Sequence, residues 1–234
     1  MKTKKYTIIP ILISAFIMLS SCTNKKTDWD LYELKGKVKT YNENHYNPVE
    51  KSGEWQKGKP LGYGSSSVSF TKEGDHERID IFDKNNDLSA HQISKKENGK
   101  MVEELKYDAK GNSEGITKYT YLSETELEFV SYDPDGNEVG TGKLFYKDGK
   151  IIKRNFKTLY KGRVEFEVEM KFLRDENGMT TAIEKKYPDG GVVTTKFEYV
   201  EFDEHDNWTK RFSYTPEDSE RPEKIAIRTY EYYK

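Results

Sequence analysis

The sequence has a single cysteine, Cys22, so neither a disulfide within the chain nor a cysteine-based metal site is available to it. It has no sustained helical periodicity beyond a short candidate at Trp29 to Leu34, which argues against a helical fold. HExxH, GxSxG and the phosphate-loop pattern ending in Gly-Lys-Ser/Thr are all missing; Gly62-Tyr63-Gly64-Ser65-Ser66 lacks the lysine and reads as a flexible loop. Excess positive charge is lacking too. The net charge is −2, and removing residues 1 to 21, with three lysines and no acids, makes it −5. A mildly acidic surface excludes nucleic acid and polybasic membrane binding as default partners. Finally, aliphatic residues are scarce: Leu, Ile, Val and Phe number 40 of the 213 residues from Cys22 onward, a level associated with disorder when net charge is high.

The amino terminus supplies an address. Lys2, Lys4 and Lys5 precede an apolar run from Ile8 to Leu19 and small residues before Cys22. Twelve helical residues span about 18 Å, short of the roughly 30 Å of a bilayer core, so the run reads as a cleaved signal helix. Leu19-Ser20-Ser21-Cys22 resembles the bacterial lipobox, which implies cleavage before Cys22 and lipidation of that residue. Two or three acyl chains, at about 0.8 kcal/mol per buried methylene, anchor a protein stably. By resemblance to lipoprotein sorting, Thr23 suggests the outer membrane. Residues 23 to 27 (TNKKT) lack an acidic surface-export cluster, which favours the periplasmic side over the cell surface. The expected organisation is a signal peptide at 1–21, a lipid-proximal tether at 22–30 and one domain at 31–234.

Periodicity overrules the hint of disorder. In VEFEVEMKF, Val164, Phe166, Val168, Met170 and Phe172 alternate with Glu165, Glu167, Glu169 and Lys171, the period of a strand with one dry and one wet face. Sixteen tyrosines from residue 22 onward add apolar area. Between the strands recur FTKEGD (70–75), FDKNND (82–87), YDAKGN (107–112), YDPDGN (132–137), RDENGM (174–179) and FDEHDN (202–207). Each offers Asp or Thr to cap a type I turn and, three positions later, Gly, Asn or Asp for positive φ. ENGK (97–100), KDGK (147–150) and PDGG (188–191) read as shorter versions. Turn centres near 73, 85, 98, 110, 123, 135, 148, 162, 177, 189, 205 and 218 leave room for one strand between each pair. The fold class predicted is all-β: a curved antiparallel meander of about 13–14 strands built from hairpin repeats, an open roll or half-open barrel.

The aromatic-Asp-x-x-Gly-Asn element resembles the YD repeats of RHS-type proteins. With the lipobox and the opening Leu34-Lys35-Gly36-Lys37-Val38-Lys39, it also resembles Bacteroidetes-type lipoproteins with degenerate repeats of this kind. The resemblance implies a β-hairpin array. The toxin-enclosing shell of RHS proteins is not implied, because the repeats are too few to close one. A transmembrane barrel is disfavoured because Lys153 and Lys157 share one face of their strand and Arg154 lies on the other.

The turn pattern absorbs most candidate chemistry. Asp203 and Asp206 occupy turn slots, Glu204 and His205 fall in the two free positions facing solvent, and Trp208 reads as an inner-face packing residue. Asp83, Asn85 and Asp87 do not make a calcium loop, since Leu88 and Ser94 stand where glycine and glutamate are needed. No catalytic, metal or cofactor site is assigned. Lipidation falls on Cys22, and ligand binding on Trp55 and Tyr63 within His45 to Ser67, the segment that interrupts the repeat. The same segment also reads as a long hairpin tip or edge cover. The functional expectation is an envelope-anchored, non-enzymatic binding or scaffold module for a glycan or envelope protein. A glycan-processing enzyme would instead show two inward-facing carboxylates in a concave pocket. An immunity-like protein would show a stoichiometric protein partner.

Overall fold

A computed structural model describes residues 27–61 and 65–234. The signal segment, Cys22 and Tyr63 lie outside the described residues. A short helix, α1 (Asp28–Leu31), precedes fifteen strands: β1 (Val38–Lys51), β2 (Glu54–Pro60), β3 (Ser65–Phe70), β4 (His76–Phe82), β5 (Leu88–Glu97), β6 (Lys100–Asp108), β7 (Ser113–Tyr121), β8 (Glu126–Tyr132), β9 (Glu138–Lys147), β10 (Lys150–Tyr160), β11 (Arg163–Arg174), β12 (Thr180–Lys186), β13 (Val192–Phe202), β14 (Trp208–Tyr214) and β15 (Lys224–Tyr232). From β3 to β15 each strand pairs antiparallel with the next, as a meander requires.

The six Asp-type turns share one geometry. In each, the first-slot N–H donates to the carbonyl four residues on, and the fourth residue's N–H donates back: Asp108 N to Asn112 O at 2.9 Å and Gly111 N to Asp108 O at 3.1 Å, repeated at 71–75, 83–87, 133–137, 175–179 and 203–207. The fourth residue has positive φ throughout, at Gly74, Asn86, Gly111, Gly136, Gly178 and Asp206. Asp108 Oδ1 accepts the N–H groups of Lys110 and Asn112, both at 2.8 Å. PDGG departs from its expected class, because Tyr187 and Gly191 form this same five-residue turn. At all six Asp-type turns the strand register slips by one residue, next to Phe70, Phe82, Tyr107, Tyr132, Arg174 and Phe202. A bulge of this kind sharpens the right-handed twist of its strand. The repeat therefore encodes curvature as well as chain reversal.

That curvature carries the sheet all the way round. β1 pairs with β3 on one side and with β15 on the other, from Val38↔Tyr232 to Tyr46↔Ile225, closing a barrel of fourteen strands. An open roll would leave two rows of unpaired N–H and C=O groups, and closure removes both edges. Outward positions at the seam pair Asn42 with Thr229, Asn44 with Ile227 and Thr40 with Glu231, whose carboxylate lies 3.4 Å from Lys39, while Glu43 pairs inward with Arg228. The second half of β1 leaves the ring and pairs only with β2, so the repeat-breaking segment is a hairpin outside the barrel.

Residues 27–37 close one end of the barrel. Trp29 donates its indole N–H to Val38 O at 2.8 Å and lies over Gly74, where an added Cβ would come within 2.6 Å of the ring. Leu34, Val38, Tyr41, Val68 and Phe70 form the main buried cluster beneath, with Tyr32 edge-on to Phe70. The outer face is charged along the strands: Lys153–Glu169 at 2.6 Å, Lys157–Glu167 and Lys171–Glu184 at 3.2 Å, and Lys143 with Glu126 and Glu128 at 2.9 and 2.8 Å. Such ladders suit water rather than a hydrocarbon band.

Candidate functional site

Beneath α1 the barrel is incompletely filled. A cavity of about 460 Å³ lies between α1 and the inner faces of β5 to β10, within the size range of small-ligand pockets. Period two and strand pairing bring its walls together. Thr117 faces Ser131, whose hydroxyl lies 2.8 Å away; Phe129 and Phe156 flank Gly142; and Leu127 and Arg154 flank Leu144. Glycine is required at position 142, since a Cβ there would stand 2.1 Å from Asn155 O and 2.6 Å from the Phe129 ring. The bare position lets Phe129 and Phe156 stack, centroids 6.2 Å apart, with the Arg154 guanidinium 5.4 and 5.2 Å from their centres.

Four arginines of the inner surface differ in their partners. Arg228 Nε donates to Glu43 at 2.7 Å, and Arg211 lies 3.7 Å from the same carboxylate. Arg174 pairs with Glu33. Arg154 has no carboxylate within ion-pair distance among the described residues, and its buried Nε lacks an acceptor. Burial pushes its pKa down from the usual value, against the opposing pull of Tyr119, Glu104 and Tyr146. An arginine starts so high that it stays cationic. Lys106, on the same wall, is likewise outside the ion pairs of the described residues, whereas Glu104 accepts a 3.4 Å hydrogen bond from Tyr119. Burial raises the pKa of Tyr119 and Tyr146 well above the usual phenol value, so both remain protonated.

The cavity's two carboxylates, Asp28 and Glu104, bear on the enzyme alternative. Asp28 is occupied: Lys96 lies 2.5 Å away, the His76 backbone N–H donates at 2.7 Å, and Lys96 also reaches Asp75 at 2.7 Å. Burial alone would raise the Asp28 pKa, but His76 and Lys96 outweigh it and hold the carboxyl below its usual value. It is a structural anion, not a proton donor. No group of three His, Cys, Asp or Glu side chains among the described residues is arranged to hold a metal ion.

The residues singled out by sequence fall elsewhere. Trp55 lies on β2, half-buried in a shallow cleft of about 330 Å³ with Lys57, Glu201, Lys210 and Ile227. His45, at the head of the same segment, points into the barrel, with Nε2 2.6 Å from Glu43. In the stretch 203–207 the turn geometry is as expected, and Trp208 is buried against Arg228 and Arg211. His205, however, does not simply face solvent. Its ring sits 4.1 Å from that of Tyr232. Asn207 exchanges two 2.8 Å hydrogen bonds with the Lys35 backbone, tying residues 27–37 to the rim. The register slips between Ile151 and Lys153, turning Ile151 inward beside Arg154 against strict alternation. Arg154 was legible in the sequence as a charge on the face it shares with Phe156, and there it counted only against a transmembrane barrel.

No family model matches the chain, and no curated protein matches it in sequence. Among solved structures it is similar to a porin-like protein from Bacteroides uniformis ATCC 8492, with 11% identity, a TM-score of 0.46, and coverage of 84% of this chain and 98% of that one. It is also similar to a chain of the TcdB2-TccC3-Cdc42 structure, with 12% identity and a TM-score of 0.30, over 80% of this chain and 12% of that one.

Proposed function

We propose that this protein is a lipid-anchored envelope module that binds a small molecule inside its barrel and performs no chemistry on it. Acylation of Cys22 would hold it at the outer membrane, with the domain in the periplasm, and a barrel whose outside carries Lys–Glu ladders would remain in water beside the bilayer. The observation that carries the reading is the cavity itself: an aromatic-walled space with a cationic group at its wall, in an interior whose other inward arginines are paired with carboxylates. Binding sites combine apolar walls with a few placed polar groups in this way. The inward acid Asp28 is bridged to Lys96 rather than left free to face a ligand, which favours binding over glycan processing.

The test is purification of the full chain from native envelopes, denaturation, and mass spectrometry of what is released. A stoichiometric small molecule supports the reading. An empty barrel with one stoichiometric crosslinked protein, or retention on polysaccharide alone, replaces it with a scaffold, immunity or glycan-binding role. Labelling with palmitate, lost in Cys22→Ala, tests the anchor.

A further inference from the structure

The geometry points to an organic monoanion as the ligand: we propose that the cavity takes a carboxylate carried on an aromatic or alkyl body, with the carboxylate against Arg154 and the body against Phe129, Phe156 and Tyr119. This rests on the reading of the barrel as a small-molecule binder.

Three observations converge on it. First, Arg154 is half-buried with no carboxylate within ion-pair distance among the described residues, whereas Arg174, Arg211 and Arg228 each have one; its Nε is buried and unsatisfied, as are those of Arg174 and Arg211. Phe129 and Phe156, with centroids 6.2 Å apart, both lie to one side of the guanidinium carbon at 5.4 and 5.2 Å, so an incoming acceptor approaches from the side the rings leave free. A guanidinium edge matches a carboxylate with two parallel N–H···O bonds. Second, the local charge is uncompensated: Arg154 and Lys106 face the single carboxylate Glu104 in that part of the cavity, an excess of one positive charge. That favours a monoanion over a doubly charged phosphate ester. Third, there is a way in. The lining reaches Gly99 and Tyr121 at the ends of the β5–β6 and β7–β8 hairpins, and Tyr121 is 37% exposed. Lys100 stands over the Tyr121 ring at 4.9 Å, placing a cation at the opening where an anion would arrive.

The arrangement also suits release. One charge-assisted contact and an apolar wall give exchangeable binding, appropriate to a carrier or a sensor rather than a permanent cofactor site.

Calorimetric titration of the full chain, purified in a non-ionic detergent, with phenylbutyrate, indolepropionate and octanoate, each beside its primary amide, tests the assignment. Octyl phosphonate distinguishes a carboxylate site from a general anion site. Carboxylates are expected to bind about ten- to a hundredfold tighter than their amides, the ratio of a charge-assisted to a neutral contact. Arg154→Met should abolish that preference, bringing carboxylate and amide affinities together, and Arg154→Lys should retain part of it. The acid–amide comparison on the unaltered protein stands even if a variant fails to fold. Equal affinity for acid and amide, or preference for the phosphonate, overturns the monocarboxylate assignment and leaves the binding module intact. Absence of binding by every probe, with nothing released from the native protein, overturns both.

Discussion

Arg228 Nε donates a 2.7 Å hydrogen bond to Glu43 Oε2 across the β1–β15 seam, joining residues 185 apart in sequence as directly opposed strand partners. Tyr41 and Trp208 lie 4.3 and 4.1 Å from the guanidinium carbon, and His45 Nε2 reaches the other carboxylate oxygen at 2.6 Å. The pair is enclosed, and it adds an inward charged contact to a seam whose outer side carries the exposed Lys39–Glu231 pair at 3.4 Å.

Removing the carboxylate should therefore cost the most. Glu43→Ala is expected to lower stability by about 3–5 kcal/mol, because it leaves the enclosed Arg228 and Arg211 without their carboxylate, and Arg228→Ala by less, since Arg211 and His45 stay beside Glu43. The double replacement Glu43→Leu with Arg228→Met should cost less than Glu43→Ala. Denaturant midpoints of the three proteins check this; a double variant weaker than Glu43→Ala would show that the pair adds net stability.

Acid should open the barrel through the same site. Burial alone would raise the Glu43 pKa, but Arg228, His45 and Arg211 reverse this and hold it well below the usual glutamate range; Asp28 is likewise held below the usual aspartate value. A carboxyl depressed by folding contributes stability that is complete above its unfolded pKa and is lost as pH falls through its folded one. Stability should be level from neutrality to about pH 5 and decline below about pH 4. Glu43→Gln should be less stable at neutrality and show a shallower acid limb, measured by denaturant unfolding across that range.

Arg154 should behave in the opposite sense to Arg228. With no carboxylate within ion-pair distance among the described residues, its desolvation is offset only by stacking and by the more distant Glu104, so Arg154→Met should leave stability unchanged or raise it by about 1 kcal/mol. A loss beyond about 2 kcal/mol on thermal or chemical unfolding would mean that the guanidinium is a structural strut.

Asn207 holds the last part of the end cap, and its loss should loosen those residues before the barrel. Asn207→Ala removes both hydrogen bonds to the Lys35 backbone and one to Tyr232, with an expected cost of about 1–3 kcal/mol. Hydrogen exchange should accelerate at residues 32 to 37 while amides of β7 to β9 keep their protection. Uniform acceleration would place the cap within the global folding unit.

Local chemistry was legible in the sequence. Period two fixed the strands, and Asp at the first slot with Gly, Asn or Asp three positions later fixed the turns at 83–87, 108–112 and 133–137, because both depend only on residues close along the chain. Trp208 was placed inside for the same reason. Closure was not legible: each hairpin looks alike whether the last strand meets the first or solvent, and the Glu43–Arg228 match becomes visible only when residues 185 apart share a register. Nor was the cavity. Its walls come from β5 to β10 and α1, the bulge at Ile151 reverses the simple alternation, and Arg154 stands out only against three other arginines whose carboxylates arrive from distant strands or from the cap. Turns and strand faces are decided by neighbours in sequence, whereas an unpaired charge is defined by what fails to come near it, and only the assembled barrel settles that.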